Sequence, residues 1–148
     1  GDEMNEPISD TVRGVLDGHI ILNRALANAY HYPAIDVLPS ISRLSNRVTG
    51  KQPNKACAVL RGWMSTYQAR ETMITSGVYQ KGSSPEIDAA IDKHEDIEKF
   101  LCQEEFEPCP MKDTLNKLSL LTGIEIPESE YAENPSESNP NTEEMKKV

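Results

Sequence analysis

One stretch decides how this chain folds: residues 82–103 read GSSPEIDAAIDKHEDIEKFLCQ. Ser84 is a typical N-cap residue, and Pro85 suits the first position of a helix. Beyond them, four apolar side chains and a histidine recur at helical spacing: Ile87, Ile91, His94, Ile97 and Leu101. This spacing predicts an amphipathic helix that buries one face.

Two further helices are predicted on either side of this one. Pro53 fits the first turn of a helix, and a stripe of apolar residues at helical spacing follows it. A break in this helix is predicted at Gly77. The stripe consists of Ala56, Leu60, Trp63, Tyr67, Ile74 and Val78. A shorter helix is predicted from Met111 to Leu121, with a stop at Gly123. Three amphipathic helices joined by short connections predict a small helical bundle, to which we assign residues 51–126.

Residues 1–50 have a different character. The run from His19 to Leu22 is β-rich, and residues 24–30 after it are helix-prone. A strand followed by a helix is typical of the edge of an α/β layer, but one strand is too few for a sheet. We therefore expect residues 1–50 to be the C-terminal edge of a larger α/β domain.

Composition and charge limit the function further. Residues 127–148 are acidic and rich in Pro, Ser and Asn, which predicts a disordered tail. The net charge of −9 argues against nucleic acid or anionic lipid as the main partner. Three cysteines without a CxxC pair and three scattered histidines predict no metal site. No apolar run approaches the ~20 residues of a membrane-spanning helix.

Arg43 closes a second distinctive stretch, YPAIDVLPSISR, at residues 32–43. It has no acidic neighbour in sequence, and Pro33 and Pro39 restrict the backbone before it. A guanidinium is permanently charged and forks onto phosphate oxygens, so Arg43 could bind phosphate. The residues alone favour the alternative, a surface ion pair.

The two motifs together resemble a known family. The stretch DEMNEPISDTVRGVLDGHIILNR at residues 2–24, followed by YPAIDVLPSISR, is similar to the C-terminal part of the flagellum-specific and type III protein-export ATPases. These are relatives of the rotary ATP synthase subunits, which differ where this chain has LDGHI. The resemblance extends over residues 1–123 and implies a mainly α fold. Its parts would be the C-terminal edge of a RecA-like α/β nucleotide-binding domain, a small helical bundle and a disordered acidic tail.

The resemblance also implies roles for single residues. Arg43 corresponds to the finger that reaches the γ-phosphate bound by the neighbouring subunit, and Tyr32 to the aromatic that packs on adenine. Phe106 is a second, weaker adenine contact, while Phe100 is interpreted as core. Tyr30 lies outside the motif and is interpreted as structural.

Two other groups of polar residues lie in the first twenty positions. Four residues correspond to a stretch that faces the central pore and the stalk protein, with a solvated loop as the equal alternative: Asp2, Glu3, Asn5 and Glu6. We interpret Asp17 and His19 as structural, through hydrogen bonds at the turn and the strand edge.

The implied function is ATP hydrolysis with Mg²⁺ in a homo-hexamer that energises flagellar or type III protein export. The implied partners are the central stalk protein and export chaperone–substrate complexes, at the cytoplasmic face of the inner membrane. The P-loop pattern G-x-x-x-x-G-K-S/T is absent from the 148 residues. We therefore expect the phosphate and metal ligands to lie outside this sequence and the fragment to be inactive alone. The alternatives are a nucleotide-free helical interaction module for chaperones or stalk protein, and a fragment of a rotary ATP synthase subunit.

Overall fold

The computed structural model describes residues 11, 12 and 14–131. A two-stranded sheet precedes a set of three long helices. In chain order the elements are β1 (Gly18–Leu22), α1 (Arg24–Asn28), β2 (Ile35–Ser42), α2 (Ser45–Val48), α3 (Lys51–Thr75), α4 (Pro85–Leu101), α5 (Met111–Thr122) and a 3₁₀ turn (Glu128–Glu130). The described part is mainly helical, as the sequence predicts.

The three long helices begin and end where the sequence signals stand. Helix α4 starts at Pro85 after an extended Ser84, although the Ser84 side chain makes no capping hydrogen bond. Helix α5 ends at Gly123, whose φ of 71° is left-handed and favours glycine. Helix α3 ends at Thr75, just before Gly77. Val78, predicted as part of its stripe, instead lies beyond the helix and is exposed.

One apolar core joins these helices. Its buried side chains come from α3, α4, α5 and the segment after α5: Ala56, Leu60, Ile97, Leu115, Leu118 and Ile126. Phe100 packs against this cluster, which confirms its interpretation as a core residue. Along α4 the predicted stripe is mostly half-buried, and Ile97 is its fully enclosed member, with 2% of its surface exposed.

The expectation of a single strand in residues 1–50 is wrong. Strand β2 pairs antiparallel with β1, with Gly18 opposite Ser42 and Leu22 opposite Ile35. The segment Val37–Ser40 has only Ile20 facing it on β1, so β2 bulges there. Pro39 lies within the bulge, where it cannot donate to the ladder. The irregular spacing hid the strand, because a bulge breaks the alternation of inward and outward side chains.

His19 and Asp17 have the structural roles expected of them. The Nε2 atom of His19 lies 3.2 Å from the carbonyl oxygen of Pro39 in the bulge. The Asp17 carbonyl accepts a hydrogen bond of 2.7 Å from the Arg43 amide. The hydroxyl of Ser40 accepts the Ile21 N–H at 3.0 Å, which compensates for the disturbed ladder. The sheet therefore keeps its backbone groups bonded despite the bulge.

The predicted disorder from residue 127 onward is wrong for its first residues. The 3₁₀ turn places the Glu130 carboxylate at the N-terminus of α3, where it accepts the Gln52 N–H at 2.6 Å. A Cβ on Gly50 would clash with the Glu130 side chain, so a larger residue there would displace this cap. Lys112 pairs with Glu128 at 2.7 Å. The remaining residues of the predicted tail, 132–148, lie outside the described residues, as do Asp2, Glu3, Asn5 and Glu6.

The core predicts a large effect for one truncation. Ile97→Ala should lower the free energy of unfolding by about 2–5 kcal/mol, because it leaves a cavity among the three helices. Leu120→Ala, on the surface of α5 with 83% of its area exposed, is the matched control and should change it by less than about 0.5 kcal/mol. Urea unfolding measures both, and equal effects would contradict the assigned core.

The cap on α3 predicts a smaller effect. Glu130→Ala removes an acceptor and a negative charge from the N-terminus of a 25-residue helix, and should cost about 0.5–2 kcal/mol. Glu125→Ala removes an exposed carboxylate from the same connection and serves as control. Thermal unfolding monitored by circular dichroism compares them; an unchanged Tm for Glu130→Ala would rule out the capping contact.

Candidate functional site

A cleft of about 880 Å³ lies beside the start of β2. Two segments form it, the loop between α1 and β2 and the loop that follows α4. Its lining residues are Tyr30, Tyr32, Pro33, Cys102, Gln103, Glu104, Glu105 and Glu107. The Gln103 amide donates a 2.8 Å hydrogen bond to the Tyr32 carbonyl and joins the two segments.

Two tyrosine side chains are available to a ligand in this cleft. Tyr32 has 51% of its surface exposed, and Tyr30 is more exposed still. Tyr30 has a φ of 59°, which is uncommon for a residue other than glycine. Its exposure and its place in the cleft do not fit the structural role that we assigned to it. Aromatic faces of this kind suit a nucleobase, which binds by stacking.

The loop after α4 forms the acidic side of the cleft. Gln103 Nε2 donates to the Glu107 carbonyl at 2.6 Å, and the Glu104 amide donates to the Glu107 carboxylate at 3.2 Å. These bonds close a tight turn that directs three glutamates toward the cleft. Phe106 lies on this turn with 89% of its surface exposed, and its neighbours on both sides line the cleft although it does not. The carboxylates oppose phosphate at this spot, so a nucleotide would present its base here.

Arg43 lies at the other end of β2 from the cleft. The ladder from Gly18 to Leu22 separates the ends of β2 by about 13 Å. The Arg43 side chain is exposed, and its guanidinium makes no hydrogen bond or ion pair within residues 14–131. The ion pair that the bare sequence favoured therefore has no partner in the described ranges. The structure thus brings Tyr32 and the Phe106 turn together and keeps Arg43 apart from them.

Arg61 of α3 holds the bulge of β2 in place, and no local sequence pattern marks this residue for that role. Its guanidinium donates to the carbonyls of Val37 at 2.7 Å, Leu38 at 2.8 Å and, more weakly, Ser40 at 3.5 Å. With His19 at the Pro39 carbonyl, every carbonyl of the bulge has a partner. Arg61 thereby connects the helices to the strand that carries Tyr32 before it and Arg43 after it.

His31 anchors the other end of β2 to α4. It is buried, with 8% of its surface exposed, and its Nδ1 lies 3.3 Å from the Pro33 carbonyl. Its Nε2 lies 3.4 Å from a carboxylate oxygen of Glu98. The residue before Tyr32 is therefore held by a side chain of the helical bundle.

The described residues suit a base better than a metal or a phosphate. Within residues 11–12 and 14–131, no group of three or more His, Cys, Asp or Glu side chains could hold a metal ion. In the same ranges no helix is both long and apolar enough to cross a membrane. Among the residues that line the cleft there is no basic side chain to bind phosphate.

The class of protein follows from comparison with family models. Residues 1–42 match the nucleotide-binding domain of the ATP synthase alpha/beta family. Residues 49–119 match the C-terminal domain of the type III secretion ATPase EscN. The order of the two matches agrees with the sheet and the helical bundle seen here.

Individual relatives narrow the class to one branch. The flagellum-specific ATP synthase of Treponema pallidum (strain Nichols) is 48% identical over 126 residues, which cover 85% of this chain and 28% of the relative. The assembled ATPase EscN of the enteropathogenic E. coli type III secretion system superposes with a TM-score of 0.78 at 36% identity, covering 82% of this chain and 30% of that one. EscN in complex with its central stalk EscO superposes with a TM-score of 0.74 at 36% identity, covering 79% of this chain and 29% of that one.

This chain therefore belongs to the family of flagellar and type III secretion ATPases and corresponds to their C-terminal region. It spans less than a third of the length of these relatives.

The Arg61 contact predicts a loss of stability on conservative substitution. Arg61→Lys keeps the charge but reaches one carbonyl of the bulge instead of three, and should destabilise the chain by about 1–3 kcal/mol. Arg70→Lys, exposed on the same helix, is the control. Urea unfolding measures both variants, and amide exchange should quicken in β2 only for Arg61→Lys. Equal exchange in β2 for the two variants would refute the anchoring role.

Proposed function

We propose that this chain is the C-terminal part of an ATPase that energises flagellar or type III protein export, and that it serves two nucleotides at once. The observation that carries the proposal is the placement of Tyr32 and Arg43 at opposite ends of β2. The cleft at Tyr32 takes the adenine of the subunit's own nucleotide. Arg43 reaches the γ-phosphate bound by the neighbouring subunit of a homo-hexamer.

The exposed guanidinium supports the role of Arg43 as a trans finger. It follows directly on a strand that is held at its bulge by Arg61, so the backbone beside it is firmly placed. Its side chain is committed to no group in the described ranges, which leaves the planar fork available for phosphate oxygens. Arginine fingers contribute about 10³–10⁵-fold to turnover by stabilising charge in the transition state.

The chemistry of the cleft supports adenine rather than phosphate. Tyr32 offers a stacking face, Tyr30 a second one, and Phe106 a side chain at the rim that could close over the base. The glutamates of the turn accept hydrogen bonds, which suits an exocyclic amino group, and their charge keeps the phosphates away. When Mg²⁺ is bound with ATP, it neutralises charge on the phosphates; its ligands belong to the part of the protein that carries the P-loop.

The uncovered sheet supports the domain assignment. Ile20 and Leu22 of β1 are exposed, and strands of a RecA-like domain in the full-length protein would cover them. We assign residues 1–50 to the edge of that domain. The bundle extends from residue 51 through 131, since the 3₁₀ turn packs on it, and residues 132–148 form the acidic tail.

The partners follow from the relatives. EscN has been solved as an assembled ATPase and together with its central stalk, so we assign a homo-hexamer and a stalk protein to this family member as well. Asp2, Glu3, Asn5 and Glu6 are proposed to face that stalk. Export chaperone–substrate complexes are further partners, and the assembly would work in the cytoplasm at the inner membrane. The match of the helical bundle to the EscN C-terminal domain, together with the flagellar relatives, favours this proposal over a nucleotide-free module or a rotary synthase fragment.

The trans role of Arg43 predicts a result for mixed assemblies. In the full-length ATPase, Arg43→Lys should lower kcat by about 100-fold or more while ATP still binds, because lysine lacks the fork. Mixing Arg43→Lys with a second variant that keeps Arg43 but has a defective P-loop should restore activity that neither variant has alone, because some sites in a mixed ring combine an intact P-loop with a neighbour's intact finger. Arg47→Lys, at an exposed arginine within α2, is the matched control and should leave kcat unchanged. Normal turnover by Arg43→Lys would defeat the assignment.

The adenine cleft predicts protection of Cys102. This thiol lines the cleft, so saturating ATP should slow its alkylation by iodoacetamide several-fold in the full-length protein. Cys57 on α3 lies outside the cleft lining and is the internal control, so it should react at the same rate with and without ATP; desolvation raises the pKa of its thiol, and the charge of Arg61 opposes that shift. Site-resolved mass spectrometry measures both rates. Equal labelling of Cys102 with and without ATP would show that the adenine does not bind in this cleft.

A further inference from the structure

The contacts around His31 hold the backbone of Tyr32 from one side. Both neighbours of the ring, the Pro33 carbonyl at 3.3 Å and the Glu98 carboxylate at 3.4 Å, are acceptors. The two ring nitrogens of His31 therefore each face one acceptor. His31 and Pro33 flank Tyr32 in sequence, so the contact between them limits the freedom of the Tyr32 backbone. The contact with Glu98 ties this segment to α4.

A second contact holds Tyr32 from the other side. The Gln103 amide, two residues past the end of α4, donates to the Tyr32 carbonyl at 2.8 Å. Glu98 lies in the last turn of the same helix. Two groups of α4, one side chain and one backbone amide, therefore fix the segment that carries Tyr32.

Helix α4 is itself set by the core of the bundle. Ile97, directly before Glu98, is enclosed by side chains of α3 and α5. A shift of α4 within the bundle would carry Glu98 and Gln103 with it. Both contacts to the Tyr32 segment would then change together, and with them the aromatic face of the cleft.

We propose that Glu98 and His31 are a positioning pair that sets Tyr32 against the adenine ring, so that the position of α4 in the bundle determines the affinity for the nucleotide. The inference rests on the proposed function, because it needs the cleft at Tyr32 to take adenine. It adds residues that do not touch the reacting atoms and act through Tyr32.

The first test separates affinity from turnover in the full-length ATPase. Glu98→Ala should raise the KM for ATP about 3–10-fold and leave kcat within about 2-fold. The substitution weakens the contact of Tyr32 with adenine and leaves the contacts to the phosphates unchanged. Glu98→Gln keeps an acceptor oxygen and should restore most of the affinity. Glu95→Ala is the matched control: it lies one turn earlier on α4, is exposed, and pairs only with Lys99 at 2.7 Å.

The second test uses the 148-residue chain and needs no nucleotide. Glu98→Ala should speed amide exchange at His31 and Gln103 several-fold, with no change for Glu95→Ala and no change in Tm beyond that of the control. Unaltered exchange at both amides would overturn the positioning role.

The two readouts keep the inference distinct from the function on which it rests. Faster exchange together with a raised KM supports the pair. Faster exchange with an unchanged KM, or a fall in kcat alone, overturns it while leaving the Arg43 assignment intact. An unmodified full-length protein that fails to hydrolyse ATP would instead refute the proposed function itself.

Discussion

The contact between the Arg61 guanidinium and the bulge of β2 is the constraint on which the rest of the arrangement depends. A bulge of this size leaves carbonyl oxygens without ladder partners, and unpaired polar groups of this kind are costly. Arg61 bonds three of these oxygens and His19 approaches the fourth. Because Arg61 projects from the long helix α3, the irregular strand becomes part of the bundle rather than a loose edge.

This constraint gives the motif its rigidity at both ends. Toward the cleft, β2 is continued by the Tyr32 segment, which α4 holds through Glu98 and Gln103. Toward the other end, the Arg43 amide is bonded to Asp17. The bundle thus contacts both ends of the motif: α4 holds the Tyr32 segment, and α3 holds the bulge that precedes Arg43. A rearrangement of the bundle would therefore affect the cleft at Tyr32 and the Arg43 end of β2 through different contacts.

The regular part of the fold could be predicted from sequence because its signals are local. Ser84, Pro85 and Gly123 mark helix ends within one turn of where the structure has them, and the apolar period of α4 lies within that helix. The motif around Tyr32 and Arg43 was visible because its residues are contiguous. Strand β2 was missed because Pro39 and the bulge break the alternation that marks a strand.

The contacts missed by the sequence analysis join residues far apart in the chain. Glu130 caps a helix that begins nearly 80 residues earlier, and its neighbourhood reads as an acidic tail. Arg61 and Glu98 look like ordinary surface charges of amphipathic helices, since nothing local marks their partners. Tyr30 stands outside the motif, and only the folded loop shows that it lines the cleft. Such pairings depend on how the helices pack against the sheet, which no single segment specifies.

The most direct measurement is a cryo-electron microscopy structure of the full-length protein assembled with Mg²⁺ and a non-hydrolysable ATP analogue. We expect each Tyr32 to stack on the adenine of its own subunit and each Arg43 to lie within hydrogen-bonding distance of the γ-phosphate bound by the neighbouring subunit. A map in which both residues contact one nucleotide, or in which Arg43 faces no phosphate, would contradict this expectation.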